Sequence, residues 1–156
     1  IGVEACAAIK NIFSISIGAA KGLYINNNKI IENNYCNAAA TLFKQSLYEM
    51  ELFTNILKGK KETVNSLAGL GDLYVSAVGG RNSKMGTFLG QGYIYSEAKK
   101  LKMPNETIEG AELVFEIGTK IKNDFDIKKM PLMMSVINSI LDDKKLIINW
   151  NNFNMN

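Results

Sequence analysis

The sequence predicts an all-α fold, and three observations carry that prediction. Only Pro104 and Pro131 interrupt the 156 residues, and each sits where a helix could begin. The apolar residues Ala39, Phe43, Leu47, Met50 and Leu57 recur at steps of three and four, or sums of them. No run reads as a β-strand partnered into a sheet.

The elements follow in order. An apolar helix covers about residues 2–22 and ends near Gly22. Leu23 to Glu32 is an Asn-rich loop, in which Ile25–Ile31 could add a turn. A long helix runs from about Asn34 to Leu57 and is closed by Gly59. A short helix from Glu62 to Leu67 precedes the glycine-bounded stretch Gly69-Leu70-Gly71-Asp72-Leu73. Tyr74 to Val78 is ambiguous between strand and helix, and Gly79-Gly80 is a loop. Helices from Asn82 to Leu89 and from Ser96 to Leu101 follow, the second with Ser96 as N-cap. Two more cover 110–122 and 131–142, with Pro131 in the first turn. Residues 1–149 form one domain, and the Asn-rich tail from Trp150 to Asn156 is loose.

Composition narrows the classes. A chain of this length buries about 70% of its unfolded surface and needs no disulfide or metal staple. The net charge of +3 is weak, and no Lys/Arg cluster interleaves with aromatics, so nucleic acid is not indicated. Lys60-Lys61 and Lys99-Lys100-Leu101-Lys102 read as solvated helix faces. Cys6 and Cys36 lack metal or disulfide spacing, and with no histidine a zinc site is close to excluded. This usage points to a reducing, cytoplasmic setting. Glu4 and Lys10 interrupt the opening apolar run, so it is neither a signal peptide nor a membrane span. The chain begins at Ile1, which suggests the later part of something longer.

Lys10 is the most informative residue. It lies in the middle of a helix that is apolar nearly all round, and such a helix is normally buried. A lysine there must reach water, find a carboxylate, or lose its proton. Without imidazole, acid–base work falls to Lys, Asp, Glu, Tyr or Cys. Two other clusters stand out. Asp72 sits in a glycine-rich loop that permits close backbone approach. Gly79-Gly80-Arg81-Asn82 opens a helix, whose free N–H groups favour an anion, and the Arg81 fork suits phosphate. Each has a plainer reading: Lys10 snorkels to the surface, Asp72 caps a helix, and Gly80-Arg81-Asn82 is an ordinary turn. Together they suggest a base, an orienting acid and a phosphate clamp.

Gly2-Val3-Glu4-Ala5-Cys6-Ala7-Ala8-Ile9-Lys10-Asn11 resembles the start of the C-terminal domain of the NAD(P)-dependent glycerol-3-phosphate dehydrogenase family. The resemblance continues through Leu67-Ala68-Gly69-Leu70-Gly71-Asp72-Leu73, Gly79-Gly80-Arg81-Asn82, Leu89-Gly90-Gln91-Gly92 and Ile108-Glu109-Gly110, in order, over roughly residues 1–142. It implies a multi-helix substrate-binding domain like that of 6-phosphogluconate dehydrogenase-like enzymes. It also implies roles. Lys10 is the catalytic lysine at the substrate C2 oxygen, and Asp72 accompanies it. Asn11 and Ser76 contact substrate, and Arg81 and Asn82 hold its phosphate. Arg81, Thr107 and Glu109 touch the cofactor, NAD or NADP. The implied partners are dihydroxyacetone phosphate or glycerol 3-phosphate and an N-terminal dinucleotide-binding domain of the same polypeptide. A homodimer is left open.

Two positions depart from the family. Many bacterial members read Thr-Arg-Gly where this chain has Lys44-Gln45-Ser46, and many have a longer loop with a serine before the Arg-Asn pair. The family's G-x-G-x-x-G dinucleotide turn has no counterpart here, because Gly69-Leu70-Gly71 lacks the third glycine and a βαβ setting. Two other readings stand beside this one: the helical domain of another hydroxyacid-type dehydrogenase, and a helical dimerisation module without catalysis.

Overall fold

A computed structural model describes residues 2–27, 35–126 and 128–154. Among them there are eight α-helices and no strand: α1 (Gly2–Asn27), α2 (Cys36–Ile56), α3 (Lys61–Val64), α4 (Asp72–Gly79), α5 (Arg81–Gly90), α6 (Tyr95–Lys102), α7 (Glu109–Asp124) and α8 (Pro131–Leu141). A π-turn over Leu67–Gly71 runs directly into α4, and a 3₁₀ turn covers Trp150–Asn152.

α1 is the axis. Every residue from Ile12 to Ala20 is buried, because α2, α4, α5, α7 and α8 all pack on it. Gly2–Ile25 is long and apolar enough to cross a membrane, but 67% of its most apolar window is buried inside this bundle. That burial is what an all-round apolar helix requires in water.

Glycine sets the tightest contact. A Cβ at Gly18 would lie 2.1 Å from the Ser83 carbonyl oxygen, and one at Gly22 1.9 Å from that of Thr87. A Cβ at Gly86 would lie 1.9 Å from Ile15 O, and one at Gly90 2.3 Å from Ala19 O. α1 and α5 therefore meet backbone to backbone. This corrects the expected helix end at Gly22: α1 continues to Asn27, and Gly22 is there for the close approach. The remainder of the expected Asn-rich loop, and the expected start of the second helix at Asn34, lie outside the described residues.

Other boundaries shift for identifiable reasons. α2 ends at Ile56, and Lys58, not Gly59, takes the left-handed conformation at φ 60°. Tyr74–Val78 is helical throughout, and Gly79 closes α4, so only Gly80 separates α4 from α5. Ser96 is inside α6 instead of capping it. Its N–H and hydroxyl donate to Asp143 at 2.9 and 2.6 Å, so Asp143 caps that helix from 47 residues away. Pro104 starts no helix and lies in the turn after α6, while Pro131 begins α8 as expected. Lys99 is more than a solvated side chain: it donates to the carbonyls of Met103 and Pro104 at 2.9 and 3.0 Å. The tail is held. Phe153 is buried against the core, Trp150 packs on it with ring centroids 5.5 Å apart, and Asn154 N–H donates to Gln45 at 3.0 Å.

A candidate active site at the α1, α4, α5 and α7 junction

Lys10 and Asn11 lie where α1 passes from its half-exposed first turns into the fully buried run. The lysine finds a carboxylate. Its ammonium forms an ion pair with Asp72, 62 residues on in sequence. Asp72 is aimed by the turn before it. Gly69 packs against α3 so closely that a Cβ would lie 2.2 Å from Val64 O. The Ser66 hydroxyl caps this π-turn by accepting from Ala68 N–H at 3.2 Å. The aspartate is thus the first residue of α4 but does not cap it; its oxygen is committed to Lys10. The Lys10 side chain is 19% exposed and that of Asp72 38%, so the pair sits in a shallow opening.

Arg81 is the first residue of α5 and Glu109 the first of α7, and the two form an ion pair across the junction. Asn82, 6% exposed, donates to Asn11 Oδ1 at 3.2 Å and Glu109 Oε2 at 3.4 Å. Its own Oδ1 accepts from Gly110 N–H at 2.8 Å. Gly110 is required here, because a Cβ would stand 2.6 Å from Asn11 O. Lys84, one turn further along α5, pairs with Glu106 at 2.9 Å. α5 opens on Gly80 without a side-chain cap, so its first-turn N–H groups are not taken by a capping side chain.

The structure thus brings together Lys10, Asn11, Asp72, Arg81, Asn82 and Glu109. Ser76 is half-buried one turn after Asp72, on the same side of α4 by its four-residue spacing. Thr107 is exposed in the segment leading into α7, two residues before Glu109. Among the described residues no group of three Cys, Asp or Glu is placed to hold a metal ion. An apolar groove of about 1000 Å³ opens between α2, α4 and α5 at Tyr74 and Gly79-Gly80. Lys10, Asp72 and Arg81 do not line it. Their cluster lies on an open face, and a reaction there needs something to cover it and exclude water.

Two acids with defined partners, one beside the site and one in the core, carried no readable sequence signal. Glu106 sits in a loop, and only its approach to Lys84 gives it a partner. Glu49 is completely buried in α2 and accepts from Leu132 N–H at 2.8 Å, Met133 N–H at 2.7 Å and Gln45 Nε2 at 2.8 Å. In sequence it is one of the two acids of α2, with Glu51, on an amphipathic helix.

Comparison with known proteins identifies the family. Residues 1–149 match the family model described as NAD-dependent glycerol-3-phosphate dehydrogenase C-terminus. The chain is 37% identical over 102 residues to a glycerol-3-phosphate dehydrogenase [NAD(P)+] of Coxiella burnetii, covering 64% of the chain and 28% of that protein. It is 30% identical over 153 residues to one of Zymomonas mobilis, covering 91% of the chain and 41% of the relative. An NADP(+)-dependent glycerol-3-phosphate dehydrogenase of Archaeoglobus fulgidus is 34% identical over 129 residues. Among solved structures, the Coxiella burnetii enzyme superposes with a TM-score of 0.73 at 31% identity, over 92% of this chain and 41% of that one. A Plasmodium falciparum glycerol-3-phosphate dehydrogenase, 21% identical with a TM-score of 0.72, shares the fold. The chain spans well under half the length of these relatives.

Proposed function

The chain belongs to the NAD-dependent glycerol-3-phosphate dehydrogenase C-terminus family, and from that premise we propose that it is the substrate-binding and catalytic domain of such an enzyme, interconverting dihydroxyacetone phosphate and sn-glycerol 3-phosphate. Residues 1–149 are that domain. The rest of the polypeptide supplies the dinucleotide-binding half and covers the open face. The observation that carries the reading is the Lys10–Asp72 ion pair beside Arg81 at the start of α5.

The chemistry follows from the charges. NAD or NADP, when bound, supplies or accepts the hydride at C2. The Lys10 ammonium stabilises the oxygen as it becomes an alkoxide and delivers its proton there. In the oxidative direction neutral Lys10 takes that proton back. Asp72 holds the lysine side chain in place through their ion pair. Arg81, with the uncapped N–H groups of α5, binds the phosphate and so fixes C2 within reach of Lys10. Ser76 and Asn11 face the substrate between those two ends. Glu109 and Thr107, with Arg81, form the edge that meets the dinucleotide. Cys6 and Cys36 are free thiols, the second exposed, which supports a reducing compartment such as the cytoplasm.

The test is an assay of the intact protein with NADH or NADPH and dihydroxyacetone phosphate. Lys10→Ala should lower turnover about a hundred- to ten-thousand-fold with an unchanged melting profile. Turnover of an unphosphorylated hydroxyacid, with none of the triose phosphate, would move the site to another dehydrogenase class.

A further inference from the structure

α8 packs against α1, α2 and α7, and one of its faces is left to a cleft of about 1090 Å³. Pro131, Met134, Ser135, Asn138 and Ser139 recur on that face at helical spacing. The end of α7 and the chain after α8 form the walls. The charged residues of the cleft are Lys122, Lys128, Lys144, Lys145 and Asp142. Together they carry a formal +3, as much as the entire chain. A net charge that is weak over the whole sequence is therefore concentrated in one place. Asp142 gathers the lysines without using up their donors. One of its oxygens draws in Lys122 at 3.9 Å and Lys144 at 4.0 Å. Both distances exceed a hydrogen bond, so each ammonium keeps its N–H groups for another acceptor. Lys128 and Lys145 make no ion pair among the described residues. Asn138, Asn149 and Asn152 add amide donors.

The turn that carries Lys144 and Lys145 is fixed from both sides. Asp143 holds a left-handed conformation at φ 46°, and its carboxylate is anchored on Ser96. Lys144 N–H donates to Ser139 O at 3.0 Å, and the buried Ser139 hydroxyl donates back to Lys144 O at 2.8 Å. The main chain of this wall is thus ordered before any ligand arrives, which lowers the cost of binding. We propose that the cleft binds a polyphosphate group. A single carboxylate or phosphate would meet only part of the donor set, whereas linked phosphates present several charges and many acceptor oxygens to it. Met134 and Ile147 lie among the lysines and give an apolar surface on which a nucleobase could rest. The cleft is not the phosphate clamp of the reaction. Glu109 and Lys122 stand about 20 Å apart along α7, and Lys10, Asp72 and Arg81 do not line the cleft.

The test is titration calorimetry of the intact protein at low salt, where screening is weak. The probes are inorganic tripolyphosphate and ATP. Tripolyphosphate should bind saturably. Lys122→Gln with Lys144→Gln, and separately Lys128→Gln with Lys145→Gln, should each weaken it at least about tenfold. Lys60→Gln with Lys61→Gln removes the same charge from exposed positions outside the cleft and should leave it unchanged. ATP bound more tightly than tripolyphosphate, with the same dependence on the cleft lysines, assigns the cleft to a nucleotide. Equal affinity assigns it to the phosphate chain alone. Absence of saturable binding would overturn the proposal, as would equal weakening by the Lys60 and Lys61 pair. Binding lost in Arg81→Gln but kept in the cleft variants would place the anion at the catalytic cluster instead. A lowered melting temperature with undiminished binding in the cleft variants would reduce these lysines to cations that complement helix ends. None of these outcomes depends on turnover, so the functional reading above stands or falls separately.

Discussion

Glu49→Gln should remove a pH dependence of stability that the fold otherwise carries. Glu49 is fully buried between α2 and α8, and burial pushes its carboxyl from an ordinary 4.5 up to about 7. The Gln45 amide and the N–H groups of Met133 and Leu132 pull the other way but are outweighed. Among the described residues no cation offsets the burial. α8 is uncharged along its length, and so is the tail from Leu146 to Asn154. Lys10 is tied to Asp72, and Lys21, Lys44, Lys61 and Glu62 are exposed. A carboxyl whose folded value lies above its unfolded one binds its proton more tightly in the native state. Its stabilising contribution is complete below about pH 4.5 and is lost as pH rises through about 7. A difference of roughly two and a half units corresponds to about 3 kcal/mol. Urea melts of the wild type and Glu49→Gln at pH 5 and pH 8 measure it. The wild type should lose about 3 kcal/mol relative to the variant between the two, which for a chain of this size is about 10 °C in melting temperature. Parallel pH curves for the two proteins would refute the reasoning, because the carboxylate would then be stabilised as well as it is in water.

Two further outcomes follow from the packing. Gly86→Ala gains about 1 kcal/mol of helix propensity but places a Cβ 1.9 Å from Ile15 O, so a net loss of 2 kcal/mol or more is expected in thermal melts. A neutral or stabilising result would mean that α1 and α5 can separate freely. Asp143→Ala removes the remote cap of α6, both Ser96 bonds at once, and should cost about 1 kcal/mol by chemical denaturation. An undiminished midpoint would show that water replaces the cap.

The helices were legible because hydrophobic spacing and proline placement report directly on helical burial, as in α2 and α8. The Lys10–Asp72 pairing was legible because a charge in an apolar helix demands a partner, and the chain offers one in a glycine-rich turn. Gly22 misled because glycine signals both a helix end and a close approach, and only the opposing backbone distinguishes them. Tyr74–Val78 stayed ambiguous because Tyr74, Val75 and Val78 are all exposed, so their apolar pattern does not follow burial. Ser96 looked like a cap because its residue type fits, whereas Asp143 does that work from a distant loop. The tail read as loose from its asparagines, yet residues 150–154 are held by the buried Phe153, the Trp150 ring on it and the Asn154 bond to Gln45. Asn82 was recognisable as part of the site, but its inward orientation depends on Gly110 and Glu109, which local sequence does not reveal.

The α1–α5 crossing has a mechanical consequence. Side-chain interfaces yield by changing rotamers, but peptide groups have none to change. An interface built from Gly18, Gly22, Gly86 and Gly90 against opposing carbonyls is therefore stiff, and the two helices must travel as one lever. Lys10 and Arg81 ride on that lever at a fixed separation.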